Sequence, residues 1–153
     1  MVKTNTHVLA RAVIIDQGHI LLCKTLDLQN NFYFLPGGHI EHGESAAKAL
    51  VRELIEEAGF EVTIKRFLGC LENGFDNSDS CLCHDHDYSF IFEASCPTLT
   101  IESKIPKLED HADILWVPMS QLSELPFKAE QLKELIPYWL GLDLDQAFRS
   151  AME

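Results

Sequence analysis

The chain has 153 residues, enough for one domain with a substantial core, and its 46% hydrophobic and 24% charged content are those of a globular protein. Its formal net charge of −12 excludes a surface built to hold a long DNA or RNA backbone, and no Lys or Arg occurs between Arg66 and Lys104. No window is long and apolar enough for a membrane span, and Arg11 and Asp16 interrupt the only apolar stretch near the N-terminus, so the expected location is cytoplasmic, without a membrane partner.

Residues 7–15, HVLARAVII, and 19–26, HILLCKTL, are rich in β-branched and aliphatic side chains, and the DQG between them predicts a hairpin. A short strand over 32–35 is ended by PGG. Residues 45–58 predict a helix with Ser45 as N-cap and Gly59 at C′. Strands are expected over 61–72 and 86–95, the second alternating well in YSFIFEA, with a polar loop at 73–85 between them. ADILWVP, 112–118, predicts a last strand, and 128–140 a C-terminal helix after Pro126. Strands interleaved with two helices make an α/β domain, a mixed sheet packed between helices, and residues 1–153 read as a single domain. The five cysteines are odd in number and scattered, as expected for reduced thiols.

One face of the 45–58 helix collects Ala47, Leu50, Val51, Leu54 and Ala58, which predicts its core contact. At about 100° per residue, Glu53, Glu56 and Glu57 share an arc of roughly 100° on another face, flanked by Arg52. A solvated acidic face explains such a cluster when it stands alone. Here Gly38, Glu44 and Arg52 follow one another at spacings of six and eight residues. Carboxylates converging from a helix face and the loop before it supply hard oxygen ligands suited to Mg²⁺ or Mn²⁺. A cation would neutralise their mutual repulsion, hold phosphate oxygens and lower the pKa of a bound water.

Gly38, Glu44, Arg52, Glu53, Leu54, Glu56, Glu57, Gly59 and Phe60 resemble the signature of the Nudix hydrolases, Gly-x5-Glu-x7-Arg-Glu-U-x-Glu-Glu-x-Gly-U with U bulky and apolar. All seven fixed positions match, and Phe60 departs only in being aromatic where an aliphatic residue is usual. The resemblance implies a Nudix-type α/β/α sandwich with a mixed β-sheet and hydrolysis of a phosphoanhydride bond in a nucleoside diphosphate derivative. It implies Glu53, Glu56 and Glu57 as metal ligands beside the Gly38 backbone, Glu44 as an accessory ligand, and Arg52 as the group that orients the glutamates. The implied cofactor is Mg²⁺, with Mn²⁺ as a substitute, and the implied partner a small nucleotide bound by a monomer or homodimer. A nucleotide-binding sensor on the same fold is the alternative; it could do without several of these glutamates.

Outside the signature, Arg11 is the lone cation of its strand and a candidate for a polar or anionic substrate group; an edge salt bridge is the other reading. His39 and His42 precede the helix, where His39 could touch substrate, though a turn or surface role serves equally. Phe32, Tyr33, Phe34 and Phe75 are candidates to stack a base or to fill core. The loop PKLEDHAD, 106–113, offers Glu109 or Asp110 as an accessory carboxylate of the kind related enzymes place there. Cys81, Cys83, His84 and His86 suggest zinc by composition, but their spacing splits them between two sides of an extended segment. Some Nudix subgroups that act on ADP-ribose or dinucleoside polyphosphates carry Pro or Tyr 15 to 18 residues past the signature. FDNSD, 75–79, has neither.

Overall fold

A computed structural model describes residues 6–26, 31–74, 86–106, 110 and 112–142. Its centre is β1 (Thr6–Asp16). Along one edge β1 pairs in parallel with β6 (His86–Ser95), from Thr6 opposite His86 to Ile14 opposite Ala94. Along the other edge it is shared. Leu9, Ala10 and Arg11 pair antiparallel with the short β4 (Gly37–His39), and Ile15 and Asp16 pair with β2 (His19–Thr25). β2 carries β3 (Tyr33–Phe34) and β7 (Ala112–Pro118), and β5 (Thr63–Gly74) pairs antiparallel with β6. The expected hairpin is present, turning through Gln17 (φ 46°) and Gly18 (φ 76°). Positive φ at both central residues is what a two-residue turn requires to match the twist of its strands.

Alternation along β1 divides the core. Ala10, Ala12 and Ile14 face α1 (Ala46–Ala58) and pack with Ala49, Leu50, Leu54 and Ala58. Val13 packs on the opposite side with Leu68, Ile91, Leu122, Leu132 and Ile136, under α2 (Leu132–Leu140) and a 3₁₀ helix over Met119–Glu124. This is the expected three-layer arrangement, a mixed sheet between helices. The buried stripe of α1 includes Ala49, whereas Ala47 and Val51 are only half-buried. Small side chains face small ones here: Ala49 shares its cluster with Ala10 and Ala12.

Three expectations shift. The segment after PGG's proline is a strand, β4, and not only a turn. The C-terminal helix begins at Leu132 rather than 128, because the chain at 126–128 is occupied in pairing with β3: Tyr33 N–H donates to Pro126 O and Lys128 N–H to Tyr33 O, both at 2.8 Å. β5 runs over 63–74 rather than 61–72, its lead-in residues Phe60 and Val62 being buried in the α1 core. At the far edge Trp139 of α2 lies where a side chain on Gly69 would be, and Arg66 donates to the carbonyls of Leu140 and Leu142 while pairing with Glu93. Among the described residues no helix is long and apolar enough to cross a membrane.

Candidate active site

α1 is capped as its sequence predicts. Ser45 Oγ accepts from the Lys48 amide at 3.3 Å, and Gly59 (φ 71°) donates its amide to Ile55 O at 2.9 Å. Between these caps, Glu53, Glu56 and Glu57 fall in the second half of the helix, and its last turn holds no basic residue. The helix dipole disfavours negative charge at that end. The arrangement therefore costs stability twice, by like-charge repulsion and by the dipole, unless a cation is close.

Arg52 supplies positive charge from within the chain. Its Nε and Nη2 donate to Glu44 Oε1 and Oε2 at 2.8 and 3.0 Å, a two-pronged contact. Nη1 donates to Glu53 Oε1 at 3.0 Å and to Glu56 Oε2 at 3.2 Å, and Nη2 reaches the His39 carbonyl at 3.0 Å. These five contacts match the five N–H donors of a guanidinium. The hydrogen bond from Arg52 holds the Glu44 carboxyl below its ordinary range, and pairing with Glu44 raises the guanidinium above its own. Arg52 thus joins the loop before α1, the end of β4 and two successive turns of the helix.

Gly38 meets the same carboxylates. A Cβ there would lie 2.4 Å from Glu53 Oε2, so the Glu53 carboxylate rests against backbone that only glycine leaves open. Gly37, next to it, has φ 125° and would drive a Cβ to 2.2 Å from Ala10 O. Together these glycines let β4 lie between β1 and α1. Among the described residues, no three His, Cys, Asp or Glu side chains are arranged to hold an ion; Glu44, Glu53 and Glu56 are turned onto Arg52 instead. The donor set itself fits a hard divalent cation: several carboxylates from one helix face beside a glycine backbone that admits Glu53 to close range.

The other expected residues divide. Arg11 lies on the α2 side of the sheet and donates Nη1 to the carbonyls of Leu35 (3.1 Å) and Gly37 (2.6 Å), so it braces the turn before β4 rather than an edge salt bridge. It also lines a cavity of about 220 Å³ with Phe32 and Phe34. His39 is exposed, and its Nε2 shares a hydrogen bond of 2.7 Å with His7 Nδ1. His42 is exposed, as is Asp110. Tyr33 packs into the α2-side core. Phe75, Glu109, Cys81, Cys83 and His84 lie outside the described residues; His86, on β6, is engaged with Glu72 and Thr6.

Sequence reasoning passed over Asn73, Asp87, Ser89 and Lys128, which line the same cavity. A signal existed for two of them. In HDYSFIFEAS, Asp87 and Ser89 fall on the inward side of an alternating strand, in line with Ile91.

The NUDIX domain family model matches residues 5–139. A Bacillus subtilis (strain 168) protein whose name assigns it 8-oxo-dGTP diphosphatase activity only provisionally is 39% identical over 57 residues, and the match spans 37% of each chain. A solved NUDIX hydrolase from Nitrosomonas europaea superposes with a TM-score of 0.74 at 19% identity, over 97% of this chain and 99% of that one. The dihydroneopterin triphosphate pyrophosphohydrolase of E. coli superposes with a TM-score of 0.67 at 19% identity, over 86% and 92%. At such identities the two structures speak for the fold. The family model spans nearly the whole chain, and on that match this protein belongs to the NUDIX domain family.

Proposed function

We infer that the protein is a divalent-metal-dependent pyrophosphohydrolase that cleaves a phosphoanhydride bond in a small nucleoside diphosphate derivative. The observation that carries this reading is the junction at Arg52, which gathers Glu44, Glu53 and Glu56 beside Gly38. A binding module would have no use for so many crowded carboxylates on the disfavoured end of a helix. The name of the B. subtilis relative specifies a nucleoside triphosphate, which supports nucleoside triphosphates within the substrate class.

In this reading Glu53, Glu56 and Glu57, with the Gly38 backbone, hold Mg²⁺ or Mn²⁺, and Glu44 serves as an accessory ligand. When bound, the ion supplies charge neutralisation for the phosphate oxygens and activation of water. Arg52 keeps the glutamates in register. Its fork on Glu44 is rigid and permanently charged, which a lysine could not reproduce. Arg11 and the aromatic residues near it face the non-phosphate part of the substrate, and His39, beside Gly38, its phosphates. A carboxylate of the 106–113 loop, Asp110 or Glu109, accepts the proton from the attacking water, because glutamates engaged with a cation are poor bases.

Phosphorus NMR on a panel of nucleoside triphosphates, nucleotide sugars and dinucleoside polyphosphates, with Mg²⁺ or Mn²⁺, tests this. At least one class is expected to release a nucleoside monophosphate. Binding of nucleotides without any turnover would replace the hydrolase by a sensor on the same fold.

A further inference from the structure

Successive residues of a strand face opposite sides of its sheet. Gly38 meets Glu53 on the α1 side, so the side chain of His39, the next residue of β4, leaves on the α2 side. β1 supplies a second imidazole there. Leu9 is the register partner of His39, and His7, two residues before Leu9, shares its face. The two histidines are thus diagonal neighbours across an antiparallel ladder, a separation that long side chains span. The structure brings them into contact: His7 Nδ1 and His39 Nε2 are 2.7 Å apart, with ring centroids at 4.7 Å and planes at 75°.

Two ring nitrogens that meet in one hydrogen bond aim at one small region of space. A metal ion takes the place of the proton between them, which leaves to solvent. Zinc–imidazole bonds are about 2.0 to 2.1 Å long, so two nitrogens on one ion stand roughly 2.9 to 3.4 Å apart for bond angles between about 90° and tetrahedral. From 2.7 Å the rings need part by only about 0.2 to 0.7 Å. They have room to do so, since His39 is exposed and His7 half-buried. Asp87, opposite His7 on β6, adds a negative charge on the same face.

We propose that His7 and His39 together bind a borderline divalent transition metal, Zn²⁺ or Ni²⁺, at a site separate from the carboxylates of α1. Imidazole suits such ions, whereas carboxylate oxygens suit Mg²⁺ or Mn²⁺, so the two donor sets sort ions by class. β4 lies between them, with Gly38 turned to Glu53 and His39 turned to His7. Among the described residues no group of three His, Cys, Asp or Glu side chains is arranged around an ion. Water therefore fills the remaining positions, and the ion exchanges with solvent, unlike one enclosed by four protein ligands. When bound, it ties β4 to β1 at the residue whose carbonyl accepts from Arg52. The site stands independently of the hydrolase reading.

The test is a Zn²⁺ titration of the intact protein with Mg²⁺ in excess, followed by nitrogen NMR of the histidine rings. Each ring reports for itself, so zinc taken up elsewhere on the chain does not enter the result. His7 Nδ1 and His39 Nε2 are expected to shift together, with one midpoint, while Mg²⁺ alone moves neither. Two ligands held on paired strands gain about 10²-fold over one. The common midpoint should therefore lie about 10²-fold below that of His42, and His7→Gln should raise the midpoint of His39 by a similar factor. Rings that do not shift, that shift at different midpoints, or that need as much zinc as His42 would each overturn the proposal, as would a His39 midpoint unchanged in His7→Gln. The comparison with His42 in the parent decides the matter even if the variant does not fold. Absence of any hydrolysis would leave this outcome untouched, and turnover with silent rings would sink the zinc site alone.

Discussion

Glu53 lies so close to Gly38 that a single methyl group on the glycine would sit 2.4 Å from its Oε2. The atom in the way is the end of a flexible side chain, and Gly38 is not in the left-handed region, so Gly38→Ala adds no backbone strain. The Glu53 carboxylate must swing aside instead. We expect stability to change by under about 1 kcal/mol while kcat/KM falls at least about tenfold. Thermal melts alongside steady-state rates separate the two, and a variant with parental kcat/KM would remove Gly38 from the site.

Arg52→Lys keeps the charge but offers three donors on one nitrogen where five now point in fixed directions. Glu44, Glu53 and Glu56 cannot all be held by it. Turnover is expected to fall by about 10²-fold with net charge unchanged, while the metal-free protein loses about 1 to 2 kcal/mol as the fork on Glu44 and the bond to the His39 carbonyl are lost. A loss of folding equal to the loss of rate would assign Arg52 to structure alone.

Glu56→Gln sets activity against stability. Glu56 is 58% exposed and contributes one i,i+4 contact to Arg52, worth a few tenths of a kcal/mol. Its charge at the unfavourable end of α1 costs a similar or larger amount. Melts in EDTA should therefore show a small gain, within about 0.5 kcal/mol, while turnover with metal drops by orders of magnitude. A variant that melts lower and turns over normally would contradict the ligand assignment.

Asp110→Asn and Glu109→Gln distinguish a base from a ligand in the loop before β7. Loss of proton acceptance predicts a fall of roughly 10²- to 10⁴-fold in kcat for one of them, with metal affinity unchanged at saturating ion. A ligand role predicts weaker metal binding and partial rescue by excess metal. Parental rates in both would make this loop a bystander.

On the strand surface away from the cavity, Glu72 Oε1 accepts from Tyr88 Oη at 2.8 Å and from His86 Nε2 at 2.9 Å. The Tyr88 hydrogen bond, then that of His86, holds the Glu72 carboxyl below its ordinary range, and the same contact holds the Tyr88 phenol above its own. A depressed carboxyl contributes stability that is present above its unfolded value and lost as pH falls through the folded one. The Tyr88 phenol, followed by its own NMR signals, should titrate at higher pH than free tyrosine, and Glu72→Gln should return it toward the ordinary value. Glu72 is exposed, so the melting temperature at neutral pH should barely move.

The helix that carries the glutamates was legible almost to the residue, because its limits are local: Ser45 caps one end, Gly59 ends the other, and a 3.6-residue period lies between. The hairpin and the limits of β6 and β7 were legible for the same reason, through turn residues and alternation. β4 was not. Three residues, two of them glycine, carry no strand signal, and their pairing with Leu9, Ala10 and Arg11 exists only after β1 is in place. The start of α2 escaped for a similar cause, since Lys128 gives its amide to Tyr33, nearly a hundred residues earlier in the chain. The acidic face of α1 announced a site, whereas the Arg52 junction shows how its carboxylates are held. The cavity over Asp87 assembles from six separate segments, and only the polar residues on the inward side of β6 hinted at it.

The parallel pairing of β1 with β6 bears on how the chain is made. β1 ends at Asp16 and β6 begins at His86, so about 70 residues must leave the ribosome before that edge of β1 finds its partner. At 5–20 residues per second this takes roughly 4 to 14 s. During that interval β1, β2, β4 and α1 are already available to one another, while an apolar strand stands with one side open. Parallel pairing over such a separation closes late, after its loop entropy has been met. Nascent chains stalled before residue 86 should accordingly be the species most prone to associate with one another, and chains released past Ser95 the first able to bury that edge.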